Sequence, residues 1–183
     1  MKKGDFGMKT TKFILILVTL ALLTGTTVSL HAQESATIHA TATVIAGIVI
    51  TGEHDLMFGT VLPGIDKTVD KGDVGFAGEW HINGDNGAEI TLDFTLPDSL
   101  MHQDSVAYMR VDFNNTDASY DDGTGGGQTV PVAAINPNGP ETLVLGPAGQ
   151  MDVWIGGMVR PGLTQTGGNY SSEVILTVAY TGN

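Results

Sequence analysis

Residues 36–50 read ATIHATATVIAGIVI, and every even position in this stretch is apolar. The odd positions are polar at first and become apolar near the end. Alternation with a period of two is typical of a β-strand with one buried face, whereas a helix needs a period near 3.6. Apolar residues on both faces are typical of a strand that enters a region buried on both sides. We therefore predict a first strand over 36–50, followed by a turn cluster at 51–55 (TGEHD).

Similar short segments recur along the chain, separated by turns that are rich in Gly, Pro and Asn. We predict eight further strands, at 56–61, 74–82, 88–96, 105–113, 129–135, 141–145, 150–159 and 172–180. Residues 97–103 favour one short helical turn, and the low-complexity stretch 117–129 favours a surface loop. Many short strands joined by such turns predict an all-β sandwich or barrel. Its expected core comprises Phe58, Ile90, Leu92, Phe94, Val111, Phe113, Ile155, Val174, Leu176 and Val178.

The first 32 residues have the pattern of a cleaved secretory signal peptide. Four lysines precede an apolar run, Phe13–Leu23, that is too short to span a bilayer, which takes roughly 20 residues. We expect cleavage after Ala32, and hence a protein that passes through the periplasm to the cell surface or the medium. No transmembrane segment is then expected in the mature chain.

Charge and cysteine content restrict the function further. Removal of residues 1–32 takes away four lysines and Asp5, which leaves four basic and 19 acidic residues and a net charge of −15. Such a balance argues against nucleic acid or an anionic membrane as partner, because both require Lys and Arg to neutralise phosphate. The chain has no cysteine, so thiol catalysis and thiolate metal sites are excluded. The domain must be stable through its core and sheet hydrogen bonds alone.

A search for catalytic and metal-binding motifs favours a protein that is not an enzyme and has no cofactor. None of the common nucleophile, zinc-protease, phosphate-loop or dinucleotide motifs is present. The mature histidines, His39, His54, His81 and His102, each stand alone in their segment, as surface histidines commonly do. Oxygen ligands for calcium could come from one acidic loop, with Asp117, Asp121 and Asp122 as the candidates. Trp80, Trp154, Tyr108 and Tyr120 could stack on a sugar, although a place in the core is the favoured role of each.

The last predicted strand places four apolar side chains on one face: Val174, Leu176, Val178 and Tyr180. At the other end, residues 33–43 include the small and apolar alternation Ala36, Ile38, Ala40, Ala42. A strand of this kind can fill a groove in another sheet, and secreted pilins use such strand donation. These eight residues are our candidate assembly site.

Several segments resemble one family of secreted bacterial proteins. Residues 56–64 (LMFGTVLPG), 76–96 (FAGEWHINGDNGAEITLDFTL), 151–157 (MDVWIGG) and the ending Gly168-Asn169-Tyr170-Ser171 with Val178-Ala179-Tyr180 carry the likeness. They are similar to an uncharacterised family of secreted β-sandwich proteins related to spore coat protein U and to archaic chaperone–usher pilins. The paired cysteines of many such pilins are absent, and Ile38 is the only large apolar residue of the donor candidate.

The resemblance implies an all-β, immunoglobulin-like (pilin-like) antiparallel β-sandwich over residues 44–183. It also implies a structural subunit of a surface filament or coat, with other copies or related subunits, a periplasmic chaperone and an outer-membrane usher as partners. Two alternatives stay open at this point. Residues 36–50 are either a donated strand or the domain's own first strand, and the protein is either a filament subunit or a secreted adhesin or glycan-binding module.

Overall fold

The computed structural model describes residues 37–42, 44 and 46–182. The chain divides into two units, Met1–Ala42 and Thr43–Asn183. In the first unit, the described residues 37–42 are exposed and belong to no strand. The predicted signal segment, residues 1–32, lies outside the described residues, as does Ala36 of the candidate assembly site.

The described residues form β-strands and no helix. The thirteen strands found there are β1 (Val49–His54), β2 (Lys67–Val69), β3 (Gly78–Asn83), β4 (Glu89–Thr95), β5 (Ser99–His102), β6 (Tyr108–Asp112), β7 (Ala118–Asp121), β8 (Ala133–Ile135), β9 (Glu141–Val144), β10 (Gln150–Ile155), β11 (Gly157–Arg160), β12 (Tyr170–Ser171) and β13 (Ile175–Tyr180). None of the described segments forms a helix of the length and apolarity needed to span a membrane.

The strands form three antiparallel sheets. The first sheet has the order β1-β3-β10-β7-β8, the second β12-β5-β6-β11-β2, and the third β13-β4-β9. Several stretches of chain contribute to two sheets in succession. Only Gly156 separates β10, in the first sheet, from β11, in the second. A Cβ atom at Gly156 would overlap the Val69 carbonyl oxygen, so the close approach of these two backbones at the crossover requires glycine.

Alternate side chains of the first and third sheets meet in the main core. This cluster takes Ile82 and Val153 from the first sheet and Ile90, Leu92 and Leu176 from the third, all of them buried. A second cluster lies under the second sheet and contains the buried residues Phe58, Val69, Ala77, Met109, Val111 and Val159. Sheets that bury their apolar faces against one another form a sandwich, and the predicted all-β class is confirmed.

The predicted first strand is wrong in its position. Strand β1 begins at Val49, and its pairing with β3 runs through the segment that we predicted as a turn, from Val49 opposite Asn83 to His54 opposite Glu79. The upstream segment alternates as a strand does, but its described residues 37–42 belong to no strand and pair with none. A ladder of hydrogen bonds, and not alternation alone, decides where a strand forms.

Other predicted elements were wrong for similar reasons. Residues 99–102, within the expected helical turn, form β5 because they pair with β6. Residues 56–61 form no strand, although Phe58 is buried. The expected surface loop 117–129 begins with β7, which is paired on both sides by β10 and β8. Of the ten expected core residues, Phe113, Val174 and Val178 are half-buried and the other seven are buried.

Candidate assembly site

The candidate site lies where the first and third sheets each end in an edge strand, β1 and β13. The two edges lie on the same side of the sandwich. The Tyr180 hydroxyl, at the end of β13, donates a hydrogen bond to the carbonyl oxygen of Ala46, just before β1, at 2.8 Å. The same hydroxyl accepts a hydrogen bond from the Asp85 amide at 2.7 Å.

The main core is incompletely covered on this side. Ile48, Ile50, Val174, Val178 and Tyr180 pack against the core but are only half-buried. By contrast, Ile90 and Leu92, on the neighbouring strand β4, are 0% exposed. We call Ile48, Ile50, Val174, Val178 and Tyr180 together the assembly groove. Apolar side chains that pack on one flank and meet solvent on the other leave room for further chain to cover them.

The backbone of β13 also has an unused side. Among the described residues, β13 pairs with β4 alone, in a register without shifts from Ile175 opposite Thr95 to Tyr180 opposite Ile90. The Thr181 amide donates to the Glu89 carbonyl oxygen at 3.1 Å. Because backbone groups alternate sides along a strand, the N–H groups of Leu176, Val178 and Tyr180 point away from β4. An open row of donors and acceptors of this kind is a template for another strand.

The predicted donor residues that the structure describes, Ile38, Ala40 and Ala42, belong to no strand. Ile38 is 91% exposed, and Ala40 and Ala42 are also exposed in a segment that belongs to no strand. Leu176, Val178 and Tyr180 lie on the core-facing side of β13, and Val174 precedes this strand and packs against the same core. The acceptor half of the candidate site is therefore assembled in the second unit.

The three calcium candidates are each occupied by hydrogen bonds within their own loops. Asp117 accepts from the amide of Asn114 at 2.7 Å, and Asp122 accepts from Thr124. Asp121 is 4% exposed and accepts from three glycine amides. Burial raises the pKa of Asp121, but these amide bonds outweigh it and hold the pKa below the ordinary value. The described residues contain no group of three or more side chains arranged to hold a metal ion.

Two histidines depart from the expected surface positions. His102 is 6% exposed, with Nδ1 at 2.7 Å from Asp104 Oδ1 and Nε2 at 3.3 Å from the Gly167 carbonyl oxygen. Its ring contacts that of Tyr170, with centroids 4.9 Å apart. A hydrogen bond from the Val106 amide, followed by that of His102, holds the pKa of Asp104 below its ordinary value. These contacts fix β12 against β5, which is a structural role.

The second histidine that is not fully exposed is His81. It lies on β3, and its Nδ1 atom is 2.5 Å from Oδ1 of Asp152 on β10. A histidine oriented by a carboxylate is also part of many general-base arrangements. Here the pair lies on the outward side of the first sheet, since its neighbours Ile82 and Val153 face the core. The His81 and Asp152 side chains are 29% and 41% exposed, so solvent reaches the pair.

The aromatic residues are dispersed over four strands. Trp154 is buried, and Trp80 stacks edge-on against Phe94 in the main core, with ring centroids 5.9 Å apart. Tyr120 is half-buried and packs on the same core, and its burial raises its pKa. Tyr108 is 55% exposed, so the predicted core position was wrong for this residue. The four rings do not gather into one exposed stacking surface.

Only four cations occur in the second unit, and all are engaged. Lys67 and Lys71 donate to the backbone carbonyl oxygens of Thr60 and Thr116. Arg110 and Arg160 both donate to Asp112. The Arg110 hydrogen bond, together with that of Arg160, holds the pKa of Asp112 below its ordinary value. No free basic surface for a polyanion is formed by these residues.

No protein-family model and no curated protein sequence matches this chain. Its function is therefore inferred from the residues and their geometry. Sequence reasoning found the β13 face through its alternation, but it missed Ile48, Ile50 and the bond between Tyr180 and Ala46. The alternation at the downstream end of 36–50 could have indicated Ile48 and Ile50. The prediction placed both in one strand with the donor candidate.

Proposed function

We propose that this chain is a non-enzymatic structural subunit of a bacterial cell-surface filament or coat, assembled by donor-strand exchange. Its domain is then an immunoglobulin-like sandwich that lacks one edge strand. The observation that carries the proposal is the outer edge of β13, which has no partner strand among the described residues and lies over a half-covered core. The segment around residues 36–42 of a neighbouring copy supplies the missing strand.

Side-chain parity gives a specific register for the donated strand. All strand pairs among the described residues are antiparallel, and we propose the same for this one. Ala36 then lies opposite Tyr180, Ile38 opposite Val178, Ala40 opposite Leu176 and Ala42 opposite Val174. The even residues of both strands face the core together, as one face of a sheet requires.

The sizes of these side chains agree with the burial along β13. Leu176 is 6% exposed and already fills its position, so the small Ala40 suits the place beside it. Val178 is half-buried and leaves space for the larger Ile38. Burial of an isoleucine side chain contributes about 1.5–3 kcal/mol, and the backbone ladder adds to this gain.

Export and the partners follow from the same proposal. A subunit with an open edge is an aggregation hazard until that edge is covered. We therefore propose that residues 1–32 direct the chain to the periplasm, where a chaperone covers the groove until an outer-membrane usher brings the next subunit. Nucleic acid is not among the proposed partners, because the four cations of the second unit are engaged within the domain.

The test is electron microscopy of the purified mature protein together with two donor variants. Wild type is expected to form filaments. Ile38→Asp is expected to abolish them, because a carboxylate placed in the apolar groove costs several kcal/mol. Thr41→Asp is the matched control, since residue 41 faces outward in the proposed register and should still polymerise.

Deletion of residues 33–42 separates strand donation from folding of the domain. We expect a folded monomer with the same far-ultraviolet circular dichroism as wild type, because the described residues of this segment form no strand in their own chain. An unfolded, protease-sensitive deletion variant, or wild-type protein without filaments, would contradict the proposal.

A further inference from the structure

A second exposed apolar surface lies at the far end of the domain from Tyr180. Leu62, Ile65 and Leu163 are 59%, 58% and 87% exposed, and we call these three residues the apolar tip. The two loops that carry them are fixed to each other, because the Gly64 amide donates to the Gly162 carbonyl oxygen at 3.1 Å. Exposed apolar side chains held together on a rigid support are typical of an interaction surface.

Close packing holds the tip in shape. Gly64 has a φ of +73°, and a Cβ atom there would come within 2.7 Å of Leu163 Cδ2. The leucine side chain therefore lies directly over the backbone of the other loop. The positive φ favours glycine at this position, because residues with a Cβ atom rarely adopt this backbone conformation. The two loops present one apolar surface rather than two separate side chains.

The strand directions place the tip and the end of β13 at opposite ends of the domain. Strands β10 and β11 run almost continuously from Gln150, next to Asn83, to Arg160, which precedes the loop of Leu163. Gly149 lies beside Gly84, and a Cβ atom at Gly84 would meet the Tyr180 hydroxyl. The start of β10 and the end of β13 are thus neighbours, and two successive strands, β10 and β11, lead from there to the tip.

Donor-strand exchange determines which surfaces of two copies meet, and this step rests on the proposed function. A strand antiparallel to β13 runs from the Tyr180 end towards Val174, so residue 42 of the donor leaves its neighbour at the end of β13 that lies opposite to Tyr180. Residues 43–48 then lead to the donor's own β1, and they span at most about 20 Å when fully extended. The donor's own β1 starts beside its Ala46 and Tyr180. The Tyr180 end of the donor therefore lies within about 20 Å of the place where its residue 42 leaves the neighbour, on the side of the neighbour that carries the tip.

We propose that the apolar tip of each subunit docks on the Tyr180 end of the copy that donates its strand. The receiving surface is formed by the turns at residues 84–87 and 146–149, where Pro147 and Ala148 are exposed. Four of these eight residues are glycines and two, Asp85 and Asn86, are polar. Leucine and isoleucine side chains of the tip would pack on Pro147, Ala148 and the glycine backbone. Each junction then has two contacts, the donated strand and the tip, which fix the angle between successive subunits.

The absence of cysteine allows a direct test with single-cysteine variants of the mature protein. L163C probes the tip, A148C probes the receiving turn, and V74C is the control at an exposed position between β2 and β3 that belongs to neither surface as defined. Each variant is reacted with a maleimide polymer after it has assembled into filaments. The same reaction is repeated in the Ile38→Asp background, in which we expect monomers. We expect the L163C and A148C thiols to lose most of their reactivity in filaments, whereas the V74C thiol reacts equally in both states.

The outcomes separate this inference from the proposed function. Filaments in which the L163C thiol reacts as fast as in the monomer would overturn the docking contact and leave strand donation in place. Protection of L163C without protection of A148C would overturn the proposed receiving surface, as would protection by lipid vesicles instead of by assembly. Failure of the wild type to form filaments would overturn both proposals.

Discussion

The hydroxyl of Tyr180 donates a hydrogen bond to the carbonyl oxygen of Ala46, a residue 134 positions away in the sequence. Since it also accepts the Asp85 amide, this one hydroxyl connects the end of β13, the turn after β3 and the chain that enters β1. It therefore closes one end of the assembly groove and joins the edges of two sheets that share no strand ladder.

Tyr180→Phe removes both bonds and keeps the ring. We expect the free energy of unfolding to fall by about 1–3 kcal/mol, since each of the two hydrogen bonds contributes about 0.5–1.5 kcal/mol. Urea unfolding followed by tryptophan fluorescence measures this change. Tyr108→Phe, which alters an exposed tyrosine, is the control and should be neutral. Equal stabilities for the Tyr180 variant and wild type would show that the hydroxyl does not connect these segments in solution.

The main core supplies the stability that disulfides provide in many small secreted domains. Leu92 is 0% exposed at the centre of β4, between β13 and β9. Leu92→Ala is expected to lower the free energy of unfolding by about 2–5 kcal/mol. Val144→Ala on the edge strand β9, where the side chain is 51% exposed, should change it by less than about 0.5 kcal/mol. Similar costs for the two variants would contradict the placement of the core.

Much of this fold could be predicted from the sequence, because apolar alternation and turn residues are local signals. The segments around β4, β9 and β13 were placed within a few residues, since each alternates along its length and is bounded by turns. The predicted position of β1 was wrong because alternation continues upstream of Val49, while the hydrogen-bond partner β3 ends at Asn83, opposite that residue. A local pattern of alternation does not determine which distant segments pair with each other.

The candidate site was predictable in part for the same reason. The alternating side chains of β13 indicate a buried face. Whether the edge of β13 is open depends on which strands pair with it, and the sequence of β13 does not show this. The burial of His102 depends on Gly168, whose missing side chain leaves room for the imidazole ring. Such contacts join residues 66 positions apart and become visible only in three dimensions.

We expect the loop after β7 to lose stability in acid because of Asp121. Its carboxylate accepts the amides of Gly123, Gly125 and Gly127, at 2.6–3.0 Å. Its pKa is lower in the folded chain than its ordinary value, which is about 3.9 in an unfolded chain. The folded carboxyl therefore keeps its charge to lower pH than the unfolded one. Its contribution to stability is complete above the ordinary pKa and is lost as the pH falls through the folded pKa.

Asp121→Asn is expected to lower the free energy of unfolding at pH 7 by about 1–3 kcal/mol, because one buried amide then faces an NH2 group. The difference from wild type should shrink as the pH falls below about 4, where the wild-type carboxyl also takes up a proton. Urea unfolding at pH 7 and at pH 3 measures both values. Asp93→Asn, at an exposed position of β4, serves as control. A difference that stays constant with pH would exclude the charge of Asp121 as the cause.

Hydrogen exchange along β13 distinguishes a free edge from a covered one. Because the Thr181 amide donates to Glu89, the amides of Thr177 and Ala179 also point towards β4, and those of Leu176, Val178 and Tyr180 point away. In the monomeric Ile38→Asp variant we expect slow exchange at the first two positions and fast exchange at the other three. In filaments all five amides should exchange slowly, since the donated strand supplies acceptors along the open edge.

Exchange in the monomer is measured directly by nuclear magnetic resonance. Filaments are exchanged, dissolved under quench conditions and read by fragment mass spectrometry. Fast exchange at Leu176, Val178 and Tyr180 in the filaments would place the intersubunit contact elsewhere, whereas slow exchange at all five amides in the monomer would mean that the edge is already covered within one chain.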